Sequence, residues 1–156
     1  MRSVRGPNVG IPMELKRVRY SALNSRQKEN FNFQKISAVL ADYGFVSLRL
    51  SDDWQGADFI AQHIDGATFA RVQLKGRLTF DEKYRGKDLW VAFSEGESWY
   101  LYPHDELLAQ VLNATGVGAA VSWSDHGGYS FPRLSKQLRG LLEKYRISGD
   151  TKPIPE

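Results

Sequence analysis

Hydrophobic positions first settle into a helical rhythm at Phe33, Ile36, Leu40 and Tyr43. Upstream, Asn24 followed three residues later by Gln27 has the form of a capping box, and downstream Gly44 suits a left-handed C-cap. The pattern therefore predicts a helix from about residue 24 to residue 43. One turn back from Phe33 the same stripe lands on Glu29, which places a carboxylate on the core-facing side of this helix near its N-terminal end. The helix dipole alone would favour an acid there, so Glu29 also has a plain structural reading.

Period two then takes over. Residues 45–50 alternate as a strand, residues 51–56 read as a polar turn, and residues 57–64 and 67–74 form two strands around Asp65 and Gly66. That dipeptide is the favoured one for a two-residue type I′ hairpin. Residues 88–93 and 98–102 predict a second hairpin, residues 103–112 a short helix, residues 119–123 a further strand and residues 133–145 a closing helix. The order predicts an α+β (or α/β) fold, a mixed sheet covered by helices. Residues 1–20 read as a basic arm, residues 21–147 as one domain and residues 148–156 as a loose tail.

The hairpin carries the chemistry. A two-residue turn at Asp65-Gly66 fixes cross-strand partners whose numbers sum to 131, so Asp58 lies opposite Gln73, Ile60 opposite Arg71 and Gln62 opposite Phe69. Lys75 projects from the same face as Gln73. The other face, with Phe59, Ala61, Ala70, Val72 and Leu74, is then the side packed into a core. Directly opposed side chains are close enough for an aspartate and an amide oxygen to share one cation. Carboxylate, amide and backbone carbonyl oxygens are hard donors, suited to Mg²⁺ or Mn²⁺. An ammonium beside such an ion can stabilise charge building on a phosphoryl oxygen.

Composition narrows the field further. The 156 residues contain no cysteine, which excludes disulfides, thiolate metal sites and a thiol nucleophile. No run is apolar enough to span a membrane, and the N-terminus lacks an apolar signal core, so a soluble cytoplasmic protein is expected. The net charge of +3 is unevenly spread: residues 36–70 hold five acidic side chains against one basic, between two strongly basic stretches. An acidic block inside cationic flanks suits a polyanion bound around a carboxylate-held cation. Arg71, Arg77, Lys83, Arg85, Lys87 and Lys28 are the candidates for tracking a nucleic-acid backbone, against the alternative of a solvated charged loop. The three histidines are scattered, and there is no Walker loop, no GxGxxG run and no nucleophile elbow.

The helix with Glu29, Gly56-Ala57-Asp58 opening one strand and Gln73-Leu74-Lys75 on the next resembles the PD-(D/E)XK nuclease superfamily, in the form whose acid before the lysine is glutamine. Residues 83–90 and 99–107 are similar to a small group of bacterial and phage members of it. The resemblance covers roughly residues 24–123. It implies a restriction-endonuclease-like αβββαβ core that hydrolyses DNA. Asp58, Gln73, the Leu74 carbonyl and Glu29 would be ligands to Mg²⁺ or Mn²⁺, and Lys75 would act at the scissile phosphate. Glu29, Asp58, Gln73 and Lys75 are then the expected catalytic set, and a homodimer is expected if both strands of a duplex are cut. Gln73 removes one negative charge from that set, which leaves a non-catalytic nucleic-acid-binding or protein-interaction module on the same fold as the alternative.

Overall fold

A computed structural model describes residues 13–116, 123 and 126–147. Its first long element is α1 (Ser25–Ala41), and the expected capping box is present: the Asn24 side chain accepts from the Gln27 N–H, and the Gln27 side chain accepts from the Asn24 N–H. Three antiparallel strands follow, β1 (Phe45–Trp54), β2 (Ala57–His63) and β3 (Phe69–Leu74). The short β4 (Thr79–Asp81) and one 3-10 turn (Glu82–Tyr84) then carry the chain to β5 (Leu89–Glu95), which pairs parallel to β3. β6 (Ser98–Pro103) returns antiparallel, and α2 (His104–Ala114), β7 (Gly128–Ser130), α3 (Lys136–Leu142) and β8 (Arg146–Ile147) complete the described chain. The protein is mixed α+β, with a mostly antiparallel six-stranded sheet in the order β1-β2-β3-β5-β6-β8 flanked by helices, and β4 pairs with β7 beside it. The connection from β3 to its parallel neighbour runs through β4 and a 3-10 turn, where the αβββαβ order expected a helix.

Two apolar layers hold this arrangement. Ile36, Val39 and Leu40 of α1 pack on Phe59, Ala61, Val72 and Ala92 on one face of the sheet. On the other face, α2 and α3 cover the β5-β6 half, burying Leu107, Leu108, Val111, Leu138 and Leu142 with Val91, Phe93 and Tyr102. Tyr102 is fully buried, and its hydroxyl donates to Thr79 O at 2.6 Å while accepting from the Thr79 N–H at 3.2 Å. That pair satisfies the start of β4 and the buried phenol together. The face of β1-β2-β3 turned away from α1 keeps Val46, Leu48 and Phe69 exposed.

Several expectations shift. The turn at Asp65-Gly66 is longer than two residues. His63 N–H donates to Thr68 O, Ile64–Ala67 forms the loop, and only Gly66 has positive φ. A four-residue loop is centred on the same point as a two-residue one, so the sum of 131 survives in Phe59↔Val72, Ile60↔Arg71 and Gln62↔Phe69. Residues 51–54, expected in a turn, extend β1, and the positive φ pair of a type I′ hairpin falls on Gln55 and Gly56 between Trp54 and Ala57. Tyr43, expected on the core stripe of α1, is exposed. Of residues 119–123, expected as a strand, only Trp123 is described, and it is helical. Of the expected arm (1–20), residues 1–12 lie outside the described residues, as does the tail (148–156).

Candidate active site

The site forms where β2 begins and β3 ends. Between the pairs Arg49↔Phe59 and Trp54↔Ala57, four residues of β1, from Leu50 to Asp53, stand opposite the single residue Asp58. The β1 ladder bulges there, and bulges of this kind free one strand position from regular pairing and re-aim its side chain. On the β3 side the carboxylate is held: Asp58 Oδ2 accepts from the Leu74 N–H at 2.8 Å. Gln73 and Lys75 flank that same residue, both half-buried, so the backbone bond brings Asp58 to the centre of the Gln73-Leu74-Lys75 segment. Gln73 Nε2 is 3.4 Å from Leu74 O, a long contact. Lys75 is anchored by its own N–H, which donates to Ala92 O of β5 at 2.9 Å.

The electrostatics are those of a carboxylate taken partly out of water. Burial pushes the Asp58 carboxyl above its ordinary value, the Leu74 N–H opposes this, Glu29 and Asp53 raise it further by repulsion, and Lys75 lowers it. Asp58 thus feels two further carboxylates and the Lys75 ammonium, with Glu29 itself paired to Arg49. A divalent cation would relieve that repulsion, and the oxygen donors of Asp58, Gln73 and the Leu74 carbonyl are of the type Mg²⁺ or Mn²⁺ takes. Among the described residues, no three His, Asp or Glu side chains gather closely enough to hold an ion by themselves. The donor set fits only with the amide and backbone oxygens included.

Glu29 departs from its expectation. It is exposed, not core-facing, and it pairs with Arg49 Nη2 at 3.3 Å, while Arg49 Nη1 donates to Asn30 Oδ1 and its guanidinium lies 5.2 Å from the Phe33 ring. The stripe that passes through Phe33 does point at the sheet, but its N-terminal turn overhangs the β1 bulge, where the surface is wet. Here Ser25, Arg26, Glu29, Asn30, Arg49, Leu50 and Ser51 line a cleft of about 770 Å³.

Two residues beside Asp58 and Lys75 were not assigned to that pair by the sequence pattern. Asp53 comes from the bulged end of β1, which reads as a turn. Tyr84 comes from the 3-10 turn in the β3-to-β5 crossover, is 4% exposed, and lies beneath Lys75 with its ring centroid 5.5 Å from the Lys75 Nζ. The ring also packs where a Cβ on Gly56 would fall, 3.1 Å away, so the two-residue turn before Asp58 and the ring under Lys75 are in contact. Burial pushes the Tyr84 phenol above its ordinary value, with Lys83 pulling it down and Asp58 and Asp53 among the acids pushing it up.

Of the basic residues, Lys83 sits 5.1 Å from the same Tyr84 ring and 3.8 Å from Asp81, and Arg85 pairs with Glu82 at 3.5 Å. Arg71 donates to Lys87 O and stacks 5.3 Å from the Trp54 ring, on the face of the sheet away from α1. Arg77 is exposed one residue beyond Gly76, Lys87 is half-buried in the loop before β5, and Lys28 lies over the Tyr20 ring. They are not gathered into one cluster: Lys83 and Lys75 share a ring, Arg71 precedes Gln73 along the same face of β3, and Lys28 lies over Tyr20 on α1.

No protein-family model matches the chain, and no curated protein does. Among solved structures it is similar to Hjc, a Holliday junction resolvase from the archaeal hyperthermophile Archaeoglobus fulgidus, at 15% identity and a TM-score of 0.38. That likeness covers 47% of this chain and 76% of the resolvase. What the site can do is therefore argued from its own side chains.

Proposed function

We propose that the protein is a metal-dependent nuclease of the PD-(D/E)XK type, hydrolysing DNA phosphodiester bonds at Asp58, Gln73 and Lys75. The observation that carries this reading is the Asp58 carboxylate bonded to the Leu74 N–H, between the amide of Gln73 and the ammonium of Lys75. Asp58, Gln73 and the Leu74 carbonyl would hold Mg²⁺ or Mn²⁺, with Glu29 and Asp53 contributing charge. Bound there, such an ion supplies Lewis acidity at a phosphoryl oxygen and lowers the pKa of water. Lys75 would meet a non-bridging phosphate oxygen and stabilise the charge that grows on it during in-line attack. Tyr84 would keep that ammonium in place from below, and Arg26 and Arg49, in the cleft beside Glu29, would meet the neighbouring phosphates.

Branched, single-stranded and duplex DNA incubated with Mg²⁺ or Mn²⁺ give the test. Asp58→Ala and Lys75→Ala should each lower the cleavage rate by about 10²- to 10³-fold, the usual cost of losing one group that stabilises transition-state charge. Wild-type rates in both variants would remove the catalytic reading. The neutral Gln73 favours a second reading, a module that binds nucleic acid without cutting it. Metal-independent binding that weakens steeply with salt, with no product formed, would support that one.

A further inference from the structure

Beyond the nucleic-acid reading, on which this inference rests, a second surface speaks to the form of the substrate. The 3-10 turn Tyr20–Ala22 folds back on α1 so that Tyr20 and Phe31 meet edge to face at 5.4 Å. Asn32 fixes the arrangement by donating to the Tyr20 hydroxyl at 2.8 Å. Both rings stay open to solvent, at 44% and 37% exposure, which is costly for aromatic side chains with no partner. Lys28 Nζ lies 5.4 Å from the Tyr20 centroid and Lys35 Nζ 5.2 Å from that of Phe31. The pair opens into a cleft of about 540 Å³ that runs past Trp99 and Glu97 to Gly76, the residue next to Lys75.

The geometry points to Tyr20 and Phe31 as a stacking platform for unpaired bases of the substrate strand, adjoining the Asp58-Lys75 site. Aromatic rings accept any base face, and stacking on them strengthens single-strand binding by about five- to 150-fold per base. An exposed cation–π contact is weaker, about two- to fivefold, so a base displaces Lys28 or Lys35 from its ring. The released ammonium is then beside the backbone of that same strand, where it neutralises a phosphate. Bases inside a duplex already stack on each other and present no free face, so the platform selects unpaired nucleotides. Glu97, the acidic residue on the cleft lining, opposes the strand and limits its affinity.

The test is fluorescence anisotropy with the full chain in EDTA, where cutting is off, using fluorescein-labelled oligothymidylate and a duplex of equal length. Oligothymidylate should bind at least about tenfold tighter than duplex. Tyr20→Ala and Phe31→Ala should each weaken it by about five- to 150-fold and leave duplex binding within about twofold. Tyr20→Phe should retain the affinity and Glu97→Gln should raise it. Thermal melts show whether each variant is folded, and Tyr20→Ala, which removes an exposed ring, keeps the test open if Phe31→Ala unfolds. Changes below about twofold in both alanine variants, or equal losses on duplex, overturn the platform while leaving the nuclease site untouched. Failure of the wild type to bind either DNA overturns the nucleic-acid reading itself.

Discussion

Asp58 carries opposing demands that a titration can separate. Its raised carboxyl pKa means that the native state binds a proton more tightly than the unfolded chain does. Native stability is therefore highest at low pH with respect to this group and falls as pH rises from the ordinary carboxylate value through the raised one. Once ionised, the carboxylate is a cost to the fold that a bound cation would offset. Asp58→Asn keeps an acceptor for the Leu74 N–H and removes the charge. It should abolish cleavage and raise Tm at pH 7, each kcal/mol gained appearing as about 2–4 °C; added Mg²⁺ should raise the Tm of the wild type and leave that of the variant unchanged. A Tm for the variant at or below wild type would mean that the carboxylate is not under strain. Tyr84 acts through Lys75, so its variants separate position from packing. Tyr84→Phe preserves the ring and should keep kcat within about threefold, whereas Tyr84→Leu should lower kcat about tenfold or more with KM little changed, in keeping with about 1–2 kcal/mol for a desolvated cation–π contact. Equal losses in both variants would assign the effect to the hydroxyl instead.

Local symmetry decided how much of the β2-β3 hairpin could be read in advance. The pairing of Ile60 with Arg71 depends only on the centre of the turn, which Asp65-Gly66 marks whether the loop has two residues or four. Here Asp65 caps the loop, its carboxylate accepting from the N–H groups of Ala67 and Thr68 and from the Thr68 hydroxyl, which together hold it well below the usual carboxylate range. The true type I′ geometry at Gln55-Gly56 was hidden because the preceding Ser51-Asp52-Asp53 looks polar enough to be loop, although a bulged edge strand open to water tolerates such residues. Gly56 has φ +84°, so Gly56→Ala combines left-handed strain with a Cβ 3.1 Å from the Tyr84 ring. It should cost about 1–2 kcal/mol, read by chemical denaturation, and should slow cleavage by moving both Asp58 and the ring under Lys75. Unchanged stability would show that the turn relaxes freely. β4, β7 and β8 span two or three residues each and exist because a neighbouring strand is present, so no periodicity announces them. Tyr84 reaches Lys75 only through the crossover, and Asp53 lies beside Asp58 through the bulged turn that read as loop, so the candidate site was legible as Asp58, Gln73 and Lys75 but not as a complete environment.

Across the whole molecule, the candidate site and the apolar cores occupy different places. The two apolar layers lie under α1 and under α2 with α3, while Asp58, Lys75 and both clefts sit at one end of the sheet, where β1 bulges and the crossover begins. No described helix is long and apolar enough to cross a membrane. The fold joins β3 to β5 only through the fourteen-residue passage from Lys75 to Asp88, and the Lys75 amide is held by Ala92 on the far side of it. That joint has a kinetic consequence. The β1-β2-β3 meander closes through short turns and can form early, whereas a parallel pairing across a long crossover carries a larger loop-closure cost and comes late. In pulsed hydrogen exchange during refolding, the amides of β2 paired to β3 should gain protection before that of Lys75; simultaneous protection would mean that the sheet condenses in one step. Asp58 would then be bonded to Leu74 in a chain whose Lys75 amide is not yet held by Ala92, so the candidate site reaches its full arrangement only when the parallel strand docks.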